Sequence, residues 1–197
     1  MAERALAWSA LAVALAFGAV LAWPVERTLI DWQPALAAAQ PWRAFSAAFV
    51  HYSALHLAVN LAGALLVGAL GQVASVPLRC VAAWLLAWPL TQLGLLLQPE
   101  LLHYGGLSGV LHAGVAVVVV HLIVAGTRVQ RRIAWALGAG LVLKVLMEAP
   151  WQGPALRTSP DWDIALAPFA HATGVIAGVV CSALAEAWRR ARMRRHD

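Results

Sequence analysis

The sequence predicts an all-α polytopic membrane protein of six transmembrane helices. Three observations carry that prediction. The 197 residues are 62% hydrophobic and only 12% charged, with a mean hydropathy of +0.75, far above the apolar share of a soluble domain. Apolar runs of about 20 residues, the length a helix needs to cross a bilayer, recur along the chain with short connections. The arginines gather at the ends of those runs in a one-sided pattern. A single membrane domain over residues 1–197 is the expected organisation.

The first span is read at Ala5 to Trp23; its apolar stretch is longer than a signal-peptide core and lacks a small-residue cleavage site, so it is expected to be retained. A long connection, residues 24–52, follows. It mixes Trp32, Pro34, Pro41, Trp42, Arg43 and Phe45, a composition expected of a segment resting in the outer membrane interface. The second and third spans are read at Ser53 to Leu70 and Leu78 to Leu97. The fourth, Ser108 to Ala125, starts at a glycine-rich turn, the fifth runs from Ile133 to Ala149, and the sixth from Ile164 to Trp188.

In this six-span arrangement Arg4, Arg79, Arg128, Arg131, Arg132 and the tail arginines Arg189, Arg190, Arg192, Arg194 and Arg195 all fall on one side. The other side holds only Arg27, Arg43 and Arg157. Cytoplasmic loops carry the excess of basic residues, so both termini and the basic tail 189–197 are expected inside. The net charge of +5 is accounted for by these topology signals, and nucleic acid is not expected as a partner. Cys80 and Cys181 have neither ligand-like nor redox-like spacing. No His-Glu-x-x-His and no internal repeat occurs, which weighs against a metalloprotease and a transporter.

Polar side chains inside spans are expensive and default to functional hypotheses. Here they are His56, Asn60, Ser108, His112, His121, Lys144, Glu148 and His171. Spans two, four and six run from outside to inside, so His56, Asn60, Ser108 and His171 all lie in the outer half. At about 1.5 Å per residue Asn60 and His171 come to the same depth, roughly 10 Å below the outer edge of the hydrocarbon. Each residue also has a plainer reading. His56 and Asn60, spaced i, i+4, suit a helix–helix hydrogen-bonding device; Ser108, among Gly105, Gly106 and Gly109, suits a helix N-cap; His171, followed by Gly174 and Gly178, lies on a small-residue packing face. The functional reading is that this packing brings the imidazole within hydrogen-bond reach of the serine, the requirement for an activated nucleophile. His121 comes out near the cytoplasmic interface and needs no function. Lys144 and Glu148, also i, i+4, form a self-neutralising pair in the outer half.

Taken together these motifs carry a resemblance. Trp42-Arg43 followed by His51-Tyr52-Ser53-Ala54-Leu55-His56-Leu57-Ala58-Val59-Asn60 resembles the Trp-Arg element and His-x-x-x-Asn motif of rhomboid intramembrane serine proteases. Gly106-Leu107-Ser108-Gly109 resembles their Gly-x-Ser-Gly, and Ala170-His171 through Gly174 to Gly178 their Ala-His-x-x-Gly-x-x-x-Gly. The resemblance implies a six-helix rhomboid-like bundle with Ser108 as nucleophile and His171 as general base, a dyad without an acidic member. It also implies an oxyanion site from His56, Asn60 and the Ser108 N–H, with Gly106, Gly109, Gly174 and Gly178 supporting it. His112 stands where many rhomboids have a tyrosine beneath the histidine. His51 is expected to be structural or to line the cavity.

Within the family the compact build, Gly-Leu-Ser-Gly-x-Leu-His and Lys144-x-x-x-Glu148 are similar to rhombosortases, although Glu148-Ala149 replaces their usual Glu-Gln. That similarity implies cleavage of membrane-anchored proteins with a C-terminal Gly-Gly signal, apolar helix and basic tail (GlyGly-CTERM), near the outer face of a bacterial cytoplasmic membrane. No metal or other cofactor is implied. Lys144 and Glu148 are expected to help recognise the Gly-Gly segment. Two other readings stand beside this one: an inactive rhomboid-like protein that binds membrane clients, and a haem or metal carrier ligated by His56, His112 and His171.

Overall fold

The computed structural model describes the backbone of residues 2–194, and side chains from residue 6 onward. Arg195 to Asp197 of the basic tail lie outside the described residues. Those described form helices in the order α1 (Ala2–Leu21), α2 (Arg27–Ile30), α3 (Arg43–Ser46), α4 (Ala54–Val73), α5 (Leu78–Leu93), α6 (Ser108–Ala125), α7 (Arg128–Glu148) and α8 (Pro168–Met193). Single 3-10 turns follow α2, α3 and α5, and β pairing among the described residues is limited to two isolated bridges, Trp32 with Tyr104 and Arg157 with Leu166.

Helix ends follow local chemistry. Ser53 caps α4 by accepting the His56 N–H on its hydroxyl. Thr127 and Gln130 form a reciprocal capping box that starts α7 five residues before the expected Ile133. Ala149, at φ 42°, stops it. The sixth helix starts at Pro168, not at Ile164, because Leu166 is drawn into paired hydrogen bonds with Arg157, 2.8 Å each way, and proline is well suited to a first helical turn.

Among the described residues, four helical stretches are long and apolar enough to cross a membrane: α4, α5 with its following turn, α6 and α8. The expected six differ from these four at two places. The apolar part of α1 is shorter, Leu6–Leu21, and α7 spans 21 residues but carries Arg128, Arg131, Arg132, Lys144 and Glu148.

Helix α6 is apolar all round and accordingly central, with Val110, Val117 and Val118 fully buried. Trp8 of α1 stacks on Trp84 of α5 at 4.4 Å and donates its indole N–H to the Val67 carbonyl of α4, which fastens three helices together. The closest approach is between α6 and α8. A Cβ on Gly174 would overlap the Gly109 carbonyl, and one on Gly178 would overlap that of Ala113. At the far end of α8, Glu186 accepts from Arg79 of α5 at 2.8 Å, from Arg189 at 3.0 Å and lies 2.9 Å from His121 Nδ1 of α6. Two arginines already satisfy this carboxylate, so the Cys80–His121–Glu186 neighbourhood is an ion-pair clasp. His121 thereby has a structural partner that the sequence did not reveal.

The connection 24–52 is more deeply packed than an interfacial loop. Trp32 is fully buried and exchanges backbone hydrogen bonds with Tyr104 at 2.7 and 2.9 Å. Buried Arg43 donates to the Asp31 carboxylate at 3.1 Å and to the Asp31 and Thr28 carbonyls. Val25, Leu29, Trp42 and Phe45 point outward as interfacial residues would. This loop therefore braces the segment that leads into α6.

Candidate active site

Ser108 is the first residue of α6, where backbone N–H groups lack intrahelical acceptors. The turn before it depends on Gly106, whose φ of +146° excludes an ordinary side chain and lets the His56 ring lie against the backbone. Gly109 removes a second obstacle: a Cβ there would stand 2.7 Å from the Ala170 carbonyl of α8. With that contact closed, Ser108 Oγ lies 2.9 Å from His171 Nε2.

The other ring nitrogen of His171, Nδ1, lies 2.7 Å from Glu148 Oε2 on α7. A carboxylate only accepts, so Nδ1 carries the proton and Nε2 is left to accept from the serine hydroxyl. Glu148 also takes the Lys144 ammonium on its Oε1. The expected self-neutralising pair thus exists, yet it is not closed on itself. Neither Lys144 nor Glu148 is among the residues that line the cavity over Ser108. Arg157 holds the end of α7 by donating to the Glu148 and Ala149 carbonyls at 2.6 and 2.9 Å.

A cavity of about 380 Å³ opens over Ser108 and His171, with Tyr52, His56, His103 and Tyr104 on one side and residues 163–167 with Leu156 forming a roof. His56 Nδ1 faces the Tyr52 N–H at 3.4 Å, which leaves its Nε2 proton free on the cavity side. Asn60, one turn deeper, is buried and donates Nδ2 to the His56 carbonyl at 2.9 Å. His56, Ser108 and His171 therefore meet at one cavity, while Asn60 stands behind His56. His56, His112 and His171 do not converge as ligands, since both His171 nitrogens have protein partners and its ring stacks on that of His112.

A family model for the rhomboid domain matches residues 38–187. The chain belongs to the rhomboid family. Its members are intramembrane serine proteases that act on membrane proteins within the bilayer, although rhomboid-like members can be inactive. No curated protein matches this chain.

In this rhomboid His112 lies under the histidine. Its ring stacks on His171 at 4.3 Å and 15°, and its Nδ1 donates to the Ser108 carbonyl at 2.7 Å. The flat surface does the supporting, so His112→Phe is expected to keep kcat on a membrane reporter within about tenfold. His112→Ala, which leaves the imidazole free to tilt, should lose about a hundredfold, the cost of an ångström-scale misplacement.

His51 is buried just before α4, its ring 4.7 Å from that of His56 and its Nε2 without a hydrogen-bond partner. Burial lowers its pKa from 6.5 to about 4, partly opposed by the Phe49 carbonyl. The folded value lies below the unfolded one, so the unfolded chain takes up the proton first. Its stability contribution is complete above about pH 6.5 and is lost as pH falls to about 4, by about 3 kcal/mol at most. Thermal unfolding in detergent should show a shallower pH dependence over that interval for His51→Leu than for the wild type. Equal slopes would overturn the assignment.

Proposed function

We propose that this rhomboid is an active serine endopeptidase that cleaves membrane-tethered proteins near the outer face of a bacterial cytoplasmic membrane. The observation that carries the reading is the 2.9 Å approach of Ser108 Oγ to His171 Nε2 beneath a substrate-sized cavity. Ser108 Oγ attacks the scissile carbonyl as His171 Nε2 takes its proton. The same imidazolium then protonates the leaving amine, and water resolves the ester by the reverse proton route. Developing charge on the substrate oxygen is met by the Ser108 N–H and the His56 Nε2 proton, with the second Asn60 Nδ2 proton behind them. The positive end of the α6 macrodipole adds to these donors.

Six crossings in one domain, both termini inside, suit this chemistry. The remaining two helices, α1 and α7, turn large apolar side chains outward, including Val13 and Phe17 on one and Trp135, Leu143 and Met147 on the other, as lipid-facing helices do. The arginine-rich ends then face the cytoplasm and the cavity faces the periplasm. The preferred substrate follows from the rhombosortase similarity: a C-terminal Gly-Gly segment ahead of an apolar helix and basic tail. Gly105 and residues 163–167 line the same cavity, and side-chain-free substrate residues need the least room there.

The deciding experiment co-expresses such a reporter with the protein in bacteria and treats membranes with a fluorophosphonate probe. Labelling of wild type but not Ser108→Ala, together with reporter cleavage, is the expected result. A client-binding protein without activity would give neither label nor cleavage. Replacing Gly-Gly with Val-Val should reduce cleavage if the sorting signal is read.

A further inference from the structure

We propose that Glu148 is the positioning residue of the His171 base, converting the serine–histidine pair into a three-member relay in which Glu148 sets the imidazole tautomer. The proposal deepens, and rests on, the protease reading above.

Three features place the carboxylate. Glu148 is the last residue of α7, its Oε2 is 2.7 Å from His171 Nδ1, and this contact joins α7 to α8 across 23 residues of sequence. Arg157 grips the two carbonyls at that helix end, and Ala149 turns the chain away at once. Lys144 occupies the other carboxylate oxygen. The side chain is thus fixed from its backbone and from both oxygens.

The partners on His171 leave it little freedom. Ser108 meets Nε2, Glu148 meets Nδ1, and the His112 ring covers one face. The charged groups around this contact are Lys144 and Arg157, with His56 and Asp163 also bordering the cavity. An imidazole with a free Nδ1 can hold its proton on either nitrogen, and only the Nδ1–H form accepts from the serine. The Glu148 carboxylate selects that form before substrate arrives. It also faces the positive charge that appears on the ring when the Ser108 proton moves to Nε2. No proton passes to Glu148 itself. Lys144 balances the carboxylate, so the Lys144–Glu148 pair brings no net charge of its own to the outer half of the bundle.

Purified full-length protein in detergent, labelled with [15N]histidine, reads the tautomer directly. Wild type is expected to hold the His171 proton on Nδ1, whereas Glu148→Gln, whose amide can donate to Nδ1, should shift it towards Nε2. In reporter turnover Glu148→Gln should lower kcat by at least about 10²-fold and up to about 10⁴-fold, the loss when the equivalent charge is removed from a serine-protease triad, with KM changed less than about threefold. Lys144→Met, which removes one of the two contacts on the carboxylate and keeps the one to His171, should lose less than Glu148→Gln.

An Nε2–H tautomer in wild type overturns the proposal whether or not any variant folds. So does Glu148→Gln with kcat within about fivefold of wild type, or a Lys144→Met loss equal to that of Glu148→Gln, which would make the ion pair the operative feature. Failure of the protease reading is separable: wild type would then resist fluorophosphonate labelling at Ser108, while the tautomer measurement still reports on Glu148.

Discussion

Ser108→Ala and His171→Ala should each lower kcat for a membrane-tethered reporter by about 10⁴ to 10⁶-fold, and the double variant should be no worse than either alone. The reason is that the two side chains act as one unit. Without Nε2 at 2.9 Å the serine hydroxyl is a weak nucleophile at neutral pH, and without Oγ the imidazole has no proton to take. Oxyanion donors are retained in both variants, so a small residual rate above water is expected. His56→Ala should behave differently, losing about 10² to 10³-fold because one of several donors is removed. Strict additivity of the Ser108 and His171 effects would mean that they act in separate steps, and would sink the mechanism.

Gly174→Val and Gly178→Val should produce the largest structural effects. At both positions the obstacle to a side chain is backbone: the Gly109 and Ala113 carbonyls of α6. A side chain can rotate away from an intruder, but a helix carbonyl cannot move without its helix. The two helices must separate, at a cost of about 3 kcal/mol or more. Separation also carries His171 away from Ser108, and an ångström of misplacement costs about a hundredfold in rate. Lower unfolding temperature and lost turnover should therefore appear together. Gly140→Ala on α7 is the control, because nothing lies within 4 Å of the added methyl; it should be neutral or slightly stabilising. A normal rate in Gly174→Val would show that α8 does not need this contact to place its histidine.

Much of this arrangement was legible in the sequence, for identifiable reasons. Ser108 to Ala125 forms a helix with the expected bounds because a glycine-rich turn and a run of apolar residues both act locally. The convergence of His56, Ser108 and His171 was foreshadowed by depth, which depends only on rise per residue and direction of travel. The destination of Glu148 was hidden because Lys144, one turn away, gave it a sufficient local partner. A carboxylate has two oxygens, and only tertiary structure shows where the second one goes. Trp32 was misread for a similar reason: tryptophan near a membrane boundary suits the interface by composition, while its pairing with Tyr104, 72 residues away, leaves no local trace. The short apolar part of α1 and the charge of α7 together separate the expected count of spans from the four that length and apolarity identify.

The roof over the cavity has unequal fastenings. Within itself it is tied by the two Arg157–Leu166 backbone bonds and by the Arg157 guanidinium on the end of α7. Among the described residues one hydrogen bond joins it to α4, from the Ser53 hydroxyl to Asp163 at 2.7 Å, and that same hydroxyl caps the helix. Releasing a bond of this kind costs about 1 kcal/mol, a factor of about five in the equilibrium at room temperature. The fastening is therefore asymmetric, firm beside α7 where the histidine is held and light beside α4, so the α4 edge is where the fewest hydrogen bonds oppose parting the roof from the bundle.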